Sequence, residues 1–204
     1  MSAKGSAKEP AKGFRKIDDQ SFTVTFSPYE RDVLINLSGQ LIEILAERVD
    51  VVDEDPLAVM VGITGHDSPP DDAVLLRLLP NAYADPVESA EFRRYTESTL
   101  RSKKRAYAMD VRARLLQPSD LKILLDRDGA QSWLGALNDI RLALGVRLDV
   151  DQYTHEYFDL LSPEDPMAAV FAVYSWLGWL QEGLVHALME NDPMGNDGDN
   201  FGEA

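Results

Sequence analysis

Apolar positions along this chain follow two different periods. Phe22, Val24 and Phe26 alternate with Thr23 and Thr25, the spacing of a half-buried strand. With Phe14 to Ile17 and the Asp18-Asp19-Gln20 turn they predict a hairpin. From Ser27 the spacing changes to three and four. Val33, Leu34, Leu37, Leu41, Ile44 and Leu45 predict a helix that ends near Asp50. Its start is written locally: Ser27 can cap, Pro28 suits the first helical position, and Glu30 completes a capping box.

Further helices follow the same grammar. Asp71 to Leu79 predicts a short one closed by Pro80, and Asp85-Pro86-Val87-Glu88 opens a long one reaching about Leu116, roughly 45 Å of helix. Leu121 to Leu125 fits a strand or a helical turn equally well. Asp126 or Asp128 begins a helix with Trp133, Leu137, Ile140 and Leu144 on one stripe, closed at Gly145. A short helical segment is expected over Asp151 to Leu161, and Asp165-Pro166 opens a final helix ending near Glu190. The predicted fold is mainly α: a helical bundle of about five helices around a buried C-terminal helix, with a small N-terminal β-hairpin or three-stranded sheet. Residues 1–13 read as a disordered basic tail, 14–190 as a single helical domain and 191–204 as a disordered acidic tail.

The most apolar window, Pro166 to Gln181, carries no charge. It falls short of the roughly 18 to 20 residues that span a bilayer. No apolar run follows Lys4, Lys8 and Lys12 to make a secretory signal. A cytoplasmic protein without membrane contact is expected. The 204 residues contain no cysteine, which excludes disulfides, thiolate metal sites and thiol-based redox sensing within the chain.

Charge is segregated. The formal net charge is −15, which repels nucleic-acid phosphates at long range. Residues 1–16 nevertheless hold five bases and one acid, while residues 148–204 hold twelve acids and no base. The long helix carries eight bases, Arg93, Arg94, Arg101, Lys103, Lys104, Arg105, Arg112 and Arg114. One expectation is a face docked against acidic surface, within the molecule or across a homodimer. The other is a nucleic-acid or partner contact.

Catalytic motifs are sparse. His155-Glu156-Tyr157-Phe158-Asp159 has Asp where a zinc helix needs its second His, and no third ligand suggests itself. Gly62-Ile63-Thr64-Gly65 lacks the Gly-Lys-Ser/Thr ending of a phosphate loop, and His66-Asp67 reads as solvated loop. No metal, cofactor or catalytic residue is assigned. The densest polar signal is Asn138, Asp139 and Arg141 on the Trp133 helix. A half-buried Arg141 needs an acceptor. Glu182, from the Tyr174 to Glu182 block, is the expected partner, with Asp139 helping. The four residues form either a polar clasp between core helices or a ligand pocket.

Three blocks carry a resemblance. Trp133 to Leu148 reads WLGALNDIRLALGVRL; Asp85 to Glu97 and Tyr174 to Glu182 accompany it, and Phe14-Arg15-Lys16 before a strand also fits. Together they resemble an actinobacterial family built on a domain of unknown function, over about residues 14 to 190. The resemblance implies a regulatory or adaptor protein rather than an enzyme. The family includes an oxidative-stress transcriptional regulator, and transcription machinery or a protease adaptor is the implied kind of partner. It supplies no catalytic residues to carry over.

Overall fold

The computed structural model describes residues 13–46, 68–117, 122–150, 161–162 and 164–190. Among them lie three strands, β1 (Arg15–Lys16), β2 (Ser21–Thr25) and β3 (Lys122–Asp126). Five helices accompany them: α1 (Pro28–Ile44), α2 (Ala73–Leu78), α3 (Pro86–Leu116), α4 (Arg127–Arg147) and α5 (Pro166–Met189). The mainly α expectation with a small sheet is what the structure shows. The ambiguity over 121–125 resolves as a strand in its described part, Lys122–Asp126.

Each helix begins where its capping residue stands. Ser27 and Glu30 form the complete capping box of α1. Asp72, Asp85, Asp126 and Asp165 each accept backbone N–H groups at the starts of α2 to α5. Such caps satisfy donors that have no partner within the helix, at about 1 kcal/mol each. The end of α4 departs from expectation. Gly145 lies inside the helix, and Asp149 takes the left-handed turn at φ 50°, a conformation Asp tolerates better than most residues. At the far end of α3, Arg31 donates to the Leu115 and Gln117 carbonyls, each at 2.5 Å, and so ties α1 to the negative end of the longer helix.

The sheet is antiparallel in the order β1-β2-β3, with Lys16 opposite Phe22 and Phe22 opposite Leu125. Phe22, Val24 and Phe26 turn into the core as their alternation requires. Thr23 is buried as well, because it sits in the middle strand between Arg15 and Leu124.

The centre of the bundle belongs to α4 rather than to the C-terminal helix. Among the described elements, α4 touches the other four helices together with β2 and β3. Its stripe of Trp133, Leu137, Ile140 and Leu144 is buried as expected. The Trp133 indole stacks on Phe26 at 5.8 Å and meets Phe14 edge-on at 5.7 Å. Gly135 lets α3 come close: a Cβ there would lie 2.5 Å from the Tyr107 ring. By contrast α5 packs its Leu177, Leu180 and Leu184 side inward and leaves Met167, Trp179 and Met189 exposed. The two ends of the described chain meet here. Lys16 donates to the Glu190 carbonyl at 2.9 Å, and the Trp179 ring lies against Gly13. Residues 47–67, the segment 151–160, residues 1–12 and residues 191–204 lie outside the described residues.

Candidate functional site

Helix α4 holds Asn138, Asp139 and Arg141 within a single turn, so their side chains leave it in different directions. Arg141 reaches α5. Its guanidinium donates to Gln181 Oε1 at 2.7 Å and sits 5.0 Å over the Tyr174 ring. Gly178 leaves room for this, since a Cβ there would stand 3.4 Å from the guanidinium. Glu182 is not the partner. It is exposed, because it stands a further 100° around α5 from Gln181. Tyr174, Gly178 and Gln181, at steps of four and three, share the face that Arg141 meets. The neutral acceptor and the aromatic face replace the ion pair expected from sequence. Arg141 Nε has no hydrogen-bond partner.

Asp139 points the other way, to α3. Its carboxylate accepts from Lys104 Nζ at 2.5 Å and its side chain is almost fully buried. The expected cluster is therefore divided. Arg141 ties α4 to α5, and Asp139 ties α4 to α3. Asn138 and Arg141 border a cleft of about 450 Å³ that also meets Arg77, Asp149 and Tyr174. Glu182 and Asp139 do not line it.

Burial pushes the Asp139 carboxyl above its ordinary value of 3.8, and the Lys104 ammonium pulls it partly back. The folded protein thus holds this proton more tightly than the unfolded chain does. Stability from this group is present below the ordinary value and falls as pH rises through the raised one. Asp139→Asn keeps an acceptor for Lys104 but cannot titrate. It is expected to flatten the stability profile just above pH 3.8, measured as denaturation midpoints across a pH series. Parallel profiles for the two proteins would refute this role.

The basic residues of α3 do not share one face. Arg93 and Arg101 are buried on either side of the Glu97 carboxylate. Arg93 Nη1 donates to Glu97 Oε2, and Arg101 Nη2 donates to Oε1 at 2.9 Å. Arg93 Nη2 also donates to Asn81 Oδ1 at 2.9 Å and to the Leu79 carbonyl at 3.1 Å, so the end of α2 is held by the same group. Lys104 is spent on Asp139. Arg114 pairs with Asp110 at 3.0 Å and lies 3.8 Å from Asp126. Arg112 is half-buried beside Gly39. Arg94, Lys103 and Arg105 are exposed, Lys103 lying 5.7 Å over the Tyr107 ring. The Glu97 pairing was visible in the sequence as the steps of four from Arg93 to Arg101. Nothing there said that those steps face inward.

No set of three or more His, Asp or Glu side chains among the described residues is arranged to hold a metal ion. The motifs at Gly62, His66 and His155 lie outside the described residues. Among the described residues, no helix is long and apolar enough to cross a membrane.

The architecture is thus that of a mainly α protein whose buried polar side chains fasten helix to helix. The chain belongs to the family described as "Domain of unknown function (DUF2017)", whose model matches residues 11–188. It is 34% identical over 187 residues to the "Oxidative stress regulator AosR" of Mycobacterium tuberculosis (strain ATCC 25618 / H37Rv), covering 84% of each chain. The protein of the same name in Mycobacterium bovis (strain ATCC BAA-935 / AF2122/97) matches to the same extent. A Mycobacterium leprae (strain TN) relative that also carries the AosR name is 36% identical over 183 residues, 82% of each chain. No solved structure matches the chain.

Proposed function

We propose that this chain is a non-enzymatic cytoplasmic regulator of the oxidative stress response that acts by contacting other proteins. The observation that carries the reading is its similarity, over more than four-fifths of its length, to proteins named as oxidative stress regulators. The fate of the polar residues supports it. Asp139, Glu97, Arg93, Arg101 and Lys104 are committed to internal pairs, as scaffolding requires. With no cysteine in the chain, a peroxide signal has to arrive through a partner or through methionine oxidation.

Direct DNA binding through residues 93–114 has less support, because four of those eight bases, Arg93, Arg101, Lys104 and Arg114, meet acceptors of the protein itself. A ligand-binding or enzymatic role rests on the cleft beside Asn138 and Arg141, which Asp139 and Glu182 do not enter. The test combines two measurements. A strain lacking the gene, challenged with peroxide, is expected to change its transcript profile, and the intact gene to restore it. The purified protein is expected to give no gel shift on the affected promoters at low salt. An unchanged profile overturns the regulatory reading. A salt-sensitive shift lost in a Lys103→Glu, Arg105→Glu variant replaces protein contact with DNA contact. A metabolite that raises the melting temperature in wild type but not in Arg141→Ala would favour the pocket instead.

A further inference from the structure

The first half of helix α3 is built inside out, whereas its second half buries Ala108, Val111 and Leu115 in the ordinary way. Its inward side carries the ion network of Arg93, Glu97 and Arg101, yet a surface helix ordinarily turns its charges to water. The opposite side is the reverse. Starting at Phe92 and stepping alternately three and four residues to Leu116, eight successive positions are exposed and none is charged. The helix holds eight bases and four acids, and all of them avoid this stripe. Tyr95 is 58% exposed and Leu116 51%. Tyr83 extends the apolar surface at one end, edge-on to Phe92 at 5.6 Å. Alternating steps of three and four are the repeat by which two helices pack along a shared seam.

We infer that this face binds a second copy of the chain, α3 against α3 in antiparallel orientation about a two-fold axis level with Lys104. The pattern of side-chain sizes selects that occupant. In this register Phe92 meets Leu116 of the other copy, Tyr95 meets Ala113, Thr99 meets Met109 and Ser102 meets Ala106. Two of the four layers, Tyr95 against Ala113 and Met109 against Thr99, set a large side chain on a small one. A parallel pair would set tyrosine on tyrosine and alanine on alanine, alternately crowding and emptying the seam. The antiparallel pair also opposes the two helix dipoles. The seam is self-complementary, as a two-fold interface must be. A strip about 36 Å long and 10 Å wide gives roughly 360 Å² per copy, below the size of a standard stable interface, so a weak dimer that forms only at high protein concentration is expected.

The full chain is tested by sedimentation velocity over a concentration series. Wild type is expected to pass from monomer to dimer as concentration rises. Ala106→Arg puts a charge in the middle of the seam at an exposed position. It is expected to stay monomeric throughout, with an unchanged circular dichroism spectrum and denaturation midpoint. The absence of native cysteine makes orientation readable as well. Thr99→Cys and Met109→Cys proteins, mixed and oxidised, are expected to cross-link with each other and poorly with themselves. A wild-type monomer at every concentration overturns the inference. So does a dimer that Ala106→Arg leaves intact, or preferential self-linking of Thr99→Cys.

Discussion

Glu97→Ala is expected to lower the free energy of unfolding by about 3–5 kcal/mol, the range seen when one member of a buried ion network is removed. The carboxylate is almost wholly buried and is shared by Arg93 and Arg101, which are buried too. Its loss leaves Arg101 without its carboxylate and Arg93 with only the Leu79 carbonyl and Asn81. A typical domain has only about 5–15 kcal/mol of stability in total, so the variant should be partly unfolded at modest denaturant concentrations. Removing all three charges, as Arg93→Met, Glu97→Leu and Arg101→Met, should cost less than Glu97→Ala alone, because no ion is left unpaired. Some cost remains. Arg93 also serves the Leu79 carbonyl and Asn81, and those groups would lose their donor. Urea midpoints for wild type, single and triple variants decide the matter. A single variant more stable than the triple would mean that packing of the long side chains, and not charge pairing, holds this site.

Trp133→Ala is the second large effect, also about 3–5 kcal/mol. The indole is fully buried at the centre of α4, stacked on Phe26 and edge-on to Phe14. Its removal opens a cavity beneath the sheet where β1, β2 and α4 converge. Trp133→Phe should cost far less. The Nε1–H has no acceptor, so the smaller ring gives up contact area but relieves an unmatched buried donor. The near-ultraviolet signal and denaturation midpoints of both variants measure this. Equal losses for Ala and Phe would show that the indole's shape, rather than its apolar volume, is what the core requires.

These two residues mark the boundary of what the sequence could tell. Trp133 was legible, because its stripe repeats at helical spacing and a stripe that apolar has to find a core. The caps were legible for the same local reason: Ser27, Asp72, Asp85, Asp126 and Asp165 each precede a helix and bond within three residues. Glu97 was not. An i, i+4 ladder of opposite charges reads as an exposed face in the great majority of helices, and only tertiary packing turned it inward. The partner of Arg141 failed for a related reason. Charge complementarity favoured Glu182, whereas helical phase put Gln181 and Tyr174 beneath the guanidinium. Hydropathy also placed α5 at the centre, since it is the most apolar helix. Position in the bundle follows how many sides of a helix are covered, and α4 is covered on more of them. The regulatory reading owed little to chemistry and much to the resemblance carried by the Trp133 to Leu148 block; the family itself is shown by the match over residues 11–188.

The bond from Lys16 to the Glu190 carbonyl has a topological consequence. It brings the first and last described segments of the chain to one pole, beside Trp179 and Gly13. A short linker joining those ends, with new termini opened in an exposed turn elsewhere, would preserve every helix contact. The order in which elements leave the ribosome would change, and the map of neighbours would not.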